Sequence, residues 1–576
     1  MRKTLFLSLL FAFLLVPQVS LAVAKQTIKQ AFGVNMHLRQ RIAEDDWDVV
    51  MDSADAAGVQ WAREQFDWDV IEPSDGEYSW TSYDKVIDEY SQRGIKMVGL
   101  LTYSSSWASS NPYDPDAEFY PPDATAWKDY VATVAGHYKN EVNYWEIWNE
   151  PNHSGFWKGS VTEYADLITA ASTAIKAANP NAKIVLGGLS GSDADYLDDL
   201  YTAIGDASVI DVVAFHLYRT AEGTFNHSPE DSLDGLNSLV TDIYNVKTII
   251  RKNDKAKTPI WLTELGWTTY TGGVTTTQQA QFLMRAYTIA LAIPNVKKVF
   301  WYSFSDTSSD QTQSEAKFGL VDTEYSEKPA LDAFTFTKKH LNRRYLKDQL
   351  LPQQTMVDNF STNTGWKLEG EECTSGSVVI TNEGRMDINY NFTGTGNCYA
   401  PVIRNVQLPT NTRALLLKIK GSNDQTTLRI RITDATGETF QYTLGYMPKQ
   451  WLYYNVQLNG YSDNWNGDGD GKLDMPLKLE SIVLDDKDGK QEQGKVSIDQ
   501  IVASPVANTM LYRFHKNKKD LYAYWTSKKG KRNTVHLKGA GRVRIIRFKK
   551  SNKVEVSGAA LYNIRSAQTM KFLQTL

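Results

Sequence analysis

The sequence predicts a multidomain chain, in which a (β/α)8 TIM barrel is followed by a β-sandwich and a small C-terminal β domain. Three observations predict it. From about Gln30 to Tyr345 apolar strand-like runs alternate with helical patterns, the order of a parallel barrel wrapped by helices. After Leu351-Pro352 the texture changes to short β-rich runs separated by Gly, Asn and Asp. The length of 576 residues exceeds one ordinary domain and supports a large core.

In chain order, residues 1–24 open with Arg2 and Lys3, run apolar from Leu5 to Val16 and close on Ala22-Val23-Ala24. That is the pattern of a signal peptide cut after Ala24, the alternative being an uncleaved anchor. No Cys lies near the cut, which argues against a lipoprotein, and no later segment reads as transmembrane. A secreted or periplasmic location follows as the expectation.

The barrel is expected over 25–350. Its eight strand candidates are Ala31 to His37, Gln60 to Gln65, Met97 to Thr102, Tyr144 to Asn149, Ile184 to Gly188, Val209 to Leu217, Pro259 to Glu264 and Val299 to Phe304. Between the fourth and fifth, Tyr164, Leu167, Ile168, Ala171 and Ile175 recur at helical spacing until Asn179-Pro180 stops the run. The sandwich is expected over 355–505, with Ala414 to Lys420 and Thr427 to Thr433 as typical strands. The small β domain, 506–576, carries Leu521 to Trp525 and Val543 to Ile546.

Two strands end in a way that points to chemistry. Tyr144-Trp145-Glu146-Ile147-Trp148-Asn149-Glu150-Pro151 runs apolar into a carboxylate at its tip, and Ile260-Trp261-Leu262-Thr263-Glu264-Leu265-Gly266-Trp267 does the same. A retaining glycosidase needs one carboxylate to attack the anomeric carbon and another to protonate the departing oxygen, the two about 5–5.5 Å apart. Strand tips on one barrel rim meet that requirement. Strand parity places Tyr144, Glu146, Trp148 and Glu150 on one side, so Glu146 reads as a buried structural acid below Glu150.

The Trp148-Asn149-Glu150-Pro151 and Thr263-Glu264 motifs resemble glycoside hydrolase clan A, most of all its family-thirty-nine-type members, over roughly Phe32 to Phe334. The resemblance implies Glu150 as general acid/base and Glu264 as nucleophile. It further implies Asn149 as the contact to the sugar 2-hydroxyl, and Arg63 as the second-strand cation that keeps the nucleophile ionised. His216 and Tyr218 match its sixth-strand pair. Trp301 matches its eighth-strand Trp, which floors the sugar site by stacking, with a core Trp as the alternative. Outside the resemblance, His37, Tyr103 and Trp107 are candidates for further subsites, and the loop from Tyr103 to Pro122 for a cleft wall or a covering loop.

A net charge of −5 with 12% aromatic residues gives no basic stripe for nucleic acid; a polysaccharide or oligosaccharide is the expected partner. No cofactor is expected for catalysis. The only cysteines, Cys373 and Cys398, could pair in an oxidising compartment or remain free thiols. Asn466, Asp468, Asp470 and Asp474 alternate with Gly in a loop that resembles a structural calcium site, but Leu477 stands where a bidentate acid belongs; a solvated Asp/Gly turn is the alternative. The segment 357–504 is similar to carbohydrate-binding sandwiches, with Trp451, Tyr453, Tyr461 and Trp465 either stacking on sugar or serving as core. The function expected is secreted, retaining and endo-acting hydrolysis of a polysaccharide. Exo action, transglycosylation and non-catalytic carbohydrate binding are the rivals.

Overall fold

The computed structural model describes residues 26–575 apart from 220–226, 231–237, 254–257 and short breaks beyond residue 351; the leader reading of 1–24 lies outside the described residues. Eight parallel strands form the barrel: β1 (Phe32–Asn35), β2 (Trp61–Asp67), β3 (Lys96–Thr102), β4 (Tyr144–Ile147), β5 (Lys183–Leu186), β6 (Val213–His216), β7 (Ile260–Leu265) and β8 (Val296–Trp301). Neighbours pair in sequence order, β8 returns to β1, and a parallel bridge between Val185 and Val212 closes the circle. A two-residue strand, Leu189–Ser190, flanks β6 at the rim.

Helices cover the barrel because their apolar stripes face it. The helix Val161–Ala178 buries Tyr164, Leu167, Ile168, Ala171 and Ile175 and starts on a Ser160/Glu163 capping box. Helix Thr276–Ala292 is buried on all sides from Gln279 onward, and its Tyr287 hydroxyl donates to the Gly33 carbonyl of β1.

The lower barrel is filled by inward side chains at alternate positions: Trp61, Val98, Val185, Ala214, Trp261 and Phe300. Gly33 is required there, since a Cβ would lie 2.4 Å from the Phe300 ring. Lys298 enters the same layer and sits 3.8 Å from the Trp61 ring centroid and 4.8 Å from that of Trp261, a cation–π contact that offsets its burial.

Beyond the barrel, two six-stranded antiparallel sheets pack face to face around a second core that includes Met386, Leu417, Ile430, Ile482 and Ile498. A disulfide joins Cys373 to Cys398, Cα atoms 5.9 Å apart. Trp451 and Tyr453 line a small apolar pocket where barrel, sandwich and C-terminal sheet meet, while Tyr461 stays exposed.

The structure corrects two readings here. Segment Tyr345–Leu350, assigned from sequence to the barrel, is a strand of the C-terminal sheet, paired antiparallel with Thr509–Lys516. That sheet also shares the barrel's core through Tyr512, Phe514, Leu521 and Trp525. The indole of Trp525 donates to Glu230, which in turn approaches Arg285 of the buried helix at 3.7 Å. The acidic ligand set also differs: Asp468 and Asp470 converge with Glu438 of strand Glu438–Tyr446, and Asp474 is not in that group. Asn466 ends strand Asp463–Asn466 in a left-handed conformation, and the backbone N–H of Asp474 donates to Asp434.

Phe300→Ala empties the lower layer without touching the rim. It is expected to cost the barrel about 3–5 kcal/mol, read as a lowered denaturation midpoint of its transition.

Candidate active site

A cavity of about 570 Å3 opens at the carboxyl ends of the barrel strands, lined among others by His37, Arg63, Tyr103, Asn149, Glu150, His216, Tyr218, Glu264 and Tyr302. Strand periodicity explains part of this gathering. On β2, Trp61 fills the lower layer, Arg63 the middle and Gln65 the rim; on β6 and its extension, Ala214, His216 and Tyr218 climb the same way.

The two acids arrive by departures from that periodicity. Strand β4 ends at Ile147, and the backbone turns left-handed at Trp148 (φ 68°) and again at Glu150 (φ 44°). Parity therefore fails past Ile147, correcting the sequence reading. Trp148 is wholly buried outside the barrel against Trp127, Trp157 and Tyr103, while the adjacent Asn149 and Glu150 both reach the cavity. Two left-handed non-glycine residues in three positions are costly, and such strain concentrates at functional sites. On β7 a bulge does the same work: the register against β6 moves from Phe215–Leu262 to His216–Glu264, so Thr263 and Glu264 both project inward.

Arg63 organises the floor. Its Nε donates to Glu146 Oε2 at 2.8 Å, Nη1 to Glu264 Oε1 at 2.6 Å and Asn35 Oδ1 at 3.1 Å, and Nη2 to Asn149 Oδ1 at 3.0 Å. Burial disfavours its charge, but Glu146 and Glu264 outweigh that and raise its pKa further. Glu146 is thus a structural acid, also accepting from Gly188 N and the Thr263 hydroxyl.

Burial pushes the Glu264 pKa up, yet His216, Arg63 and the Tyr218 hydroxyl, 2.7 Å from Oε2, prevail and hold it below the usual carboxylate range. Glu264 therefore stays ionised. Glu150 faces a different partner, the His216 Nδ1 at 2.7 Å. Because the Thr263 hydroxyl donates to Glu146, its oxygen is left to accept from His216 Nε2 at 3.2 Å. Nε2 then carries a proton, and the short Nδ1 contact holds one further proton between His216 and Glu150. One carboxylate oxygen each of Glu150 and Glu264 and a ring nitrogen of His216 lie within 4.8 Å of one another.

Of the other sequence candidates, Tyr103 lines the cavity and is hydrogen-bonded by Asn149. His37 lines it too, and burial, then Arg41 and Arg63, keep its pKa well below the usual imidazole value. Trp301 is corrected. It is wholly buried, donates its indole N–H to the Phe318 carbonyl and packs on Trp267, outside the barrel. Lys298, Phe300 and Tyr302 share the inward parity of β8, so Tyr302, held by Arg41 at 2.8 Å, takes the floor position. Trp107 is corrected as well, since it packs edge-on against Trp68 with its N–H on the Glu72 carbonyl, away from the cavity. Sequence reasoning missed Arg41, Gln65, His153, Phe156, Glu315 and Phe318. Only Gln65 carried a signal, its parity with Arg63; Arg41 ends the short helix Leu38–Arg41, Glu315 lies in the single 3-10 turn Ser314–Ala316, and the others sit on loops.

The sequence model of glycosyl hydrolases family 39 matches residues 64–373, more than half of the chain. A β-xylosidase from Geobacillus stearothermophilus is 25% identical over 283 residues, covering 45% of this chain and 56% of that protein. Endo-1,4-β-xylanase C of Phanerodontia chrysosporium is 24% identical over 209 residues, covering 34% and 51%. The chain thus spans about half the length of the curated relatives it matches. Among solved structures, a family 39 glycoside hydrolase from Bacteroides cellulosilyticus WH2 aligns over 79% of this chain and 80% of its own, at 18% identity and a TM-score of 0.49.

Glu264 works ionised, so the acid limb of kcat/KM should fall below the usual carboxylate range. Tyr218→Phe removes a hydrogen-bond donor to that anion and is expected to move the limb to higher pH by about one unit. A pH profile of the folded variant checks this, and an unmoved limb would remove Tyr218 from the tuning of Glu264.

Proposed function

The chain belongs to glycosyl hydrolases family 39, and from that premise we propose that it is an exported retaining glycosidase that cuts within β-linked xylan-type polysaccharides. The observation that carries the reading is the approach of Glu150 and Glu264 in one cavity, with a carboxylate oxygen of each inside 4.8 Å. That separation suits direct attack on the anomeric carbon and leaves no room for a water between the Glu264 carboxylate and the sugar.

In the first step Glu150 delivers its proton to the glycosidic oxygen as the bond to C1 breaks, and the Glu264 carboxylate bonds to C1. In the second, Glu150 takes a proton from water, whose oxygen attacks C1 and releases Glu264. His216 orients Glu150 and shares its proton between turnovers, before the first step and after the second. Asn149, fixed by Arg63 and Tyr103, stands where it can hold a sugar hydroxyl. Tyr302 and Tyr103 offer aromatic walls to the ring's C–H faces.

The substrate class follows the relatives, which are named for xylosidase and xylanase activity. Their split also favours a second reading, exo-cleavage, through the longer match to the β-xylosidase. Export is supported by the leader pattern and by the Cys373–Cys398 disulfide, a bond that persists in oxidising compartments. Among the described residues no helix is long and apolar enough to cross a membrane.

Reducing-sugar release and product sizing on xylan are expected to show oligosaccharides that keep the β-configuration at the new end. Glu264→Ala should reduce turnover by several orders of magnitude, and Glu150→Ala should hurt most on substrates with poor leaving groups. Monosaccharide alone would establish the exo reading, and full activity of either variant would end the assignment. For export, the chain recovered outside the cytoplasm should have the mass of residues 25–576; a full-length mass there would refute cleavage after Ala24.

A further inference from the structure

We propose that the sandwich carries a Ca2+ site built from Glu438, Asp468 and Asp470. These three residues place one carboxylate oxygen each within 4.8 Å of one another. Asp468 and Asp470 are exposed on the loop that follows strand Asp463–Asn466, whereas Glu438 is wholly buried at the start of strand Glu438–Tyr446. The strands pair so that Glu438 faces Asn466 in register, which presses the loop onto the acid. A Cβ on Gly467 would lie 2.3 Å from Glu438 N, so only glycine allows that approach.

The buried acid points to the ligand. Glu438 Oε1 accepts from the Asn464 side chain and from Gly471 N at 3.3 Å, but Oε2 is buried with no hydrogen-bond partner. No Lys or Arg among the described residues pairs with Glu438. A buried carboxylate without a counter-charge is costly, and a hard divalent cation removes that cost while drawing in two further carboxylates, which a proton on Glu438 would not do.

The neighbours fit this reading. Lys472 is the nearby cation, yet it reaches Asp470 at 2.7 Å, on the solvent side, and leaves Glu438 unneutralised. The Thr436 hydroxyl lies 3.4 Å from Asp468 Oδ1, and the Tyr461 hydroxyl donates to the Gly471 carbonyl at 3.3 Å, tying the loop at both ends. Left-handed residues at Asn466, Gly467, Gly469 and Gly471 curl the backbone so that its oxygens can complete a coordination shell of six to eight. Ca2+ tolerates such an irregular shell, whereas Mg2+ demands a near-octahedral one. The site would lock the sandwich's loop end.

The test uses the full mature chain, stripped with a chelator and then supplied with Ca2+ alone. At about a hundredfold excess over its dissociation constant, Ca2+ should raise the sandwich's melting temperature by roughly 5–10 °C. Tb3+ in the same site should give luminescence sensitised by Trp465 and Tyr461, and Ca2+ should displace it. Asp468→Asn, at an exposed position that leaves folding intact, should weaken both responses at least tenfold, and Glu438→Gln should abolish them. Lys472→Met should strengthen both by freeing Asp470. Wild-type protein with neither a Ca2+-dependent shift nor sensitised luminescence would overturn the proposal, as would undiminished responses in Asp468→Asn.

Discussion

The constraint on which the rest of this structure depends is the burial of one guanidinium, Arg63, inside the barrel. It reaches Glu146 from β4, Glu264 from β7, Asn35 from β1 and Asn149 from the rim, so a single planar cation fixes the relative positions of four strands. Arginine suits this place because its fork donates in several fixed directions and its charge persists when desolvated. The arrangement is all-or-none, since losing one partner of such a buried pair typically costs about 3–5 kcal/mol. The same contacts that hold the barrel together keep Glu264 ionised, so stability and reactivity share one set of bonds.

Around that fixed floor the rim departs from regular geometry wherever chemistry is required. A regular strand sends alternate residues inward, which is enough for Arg63, His216 and Tyr218. It is not enough for Glu150 or Glu264, each of which follows a neighbour that also turns inward. Left-handed backbone at Trp148 and Glu150, and the bulge between β6 and β7, supply the extra residues. The packing of Trp148 among Trp127, Trp157 and Tyr103 is what sustains the strained turn, so the aromatic shell outside the barrel serves the acid inside it.

The appended modules are not beads on a linker. The C-terminal sheet borrows the strand that follows the last barrel helix and adds Phe514, Leu521 and Trp525 to the barrel's own core. The sandwich keeps a core of its own and meets the other two parts at the pocket lined by Tyr244, Trp451, Tyr453 and Tyr512. A chain built this way presents its barrel cavity at a fixed attitude to both modules, and the shared core makes the C-terminal sheet part of the barrel's stability.

Everything carried by local period and local chemistry was legible in the sequence. The eight barrel strands, their order and the apolar runs that end in Glu150 and Glu264 are short-range patterns, and a strand's hydrophobic run survives any tertiary context that buries both faces. Parity also put Glu146 below the rim as a structural acid. Only the tertiary structure decided which neighbour of a pair faces inward once a strand stops being regular. That is why Tyr302 and not Trp301 floors the site, and why Trp107 leaves it for Trp68 and the Glu72 carbonyl. It decided, too, that Tyr345–Leu350 belongs to a sheet whose other strands lie far along the chain, and that Glu438 rather than Asp474 meets Asp468 and Asp470. Contacts of this kind are set by strand pairing across long stretches of chain, and no local pattern in the sequence encodes them.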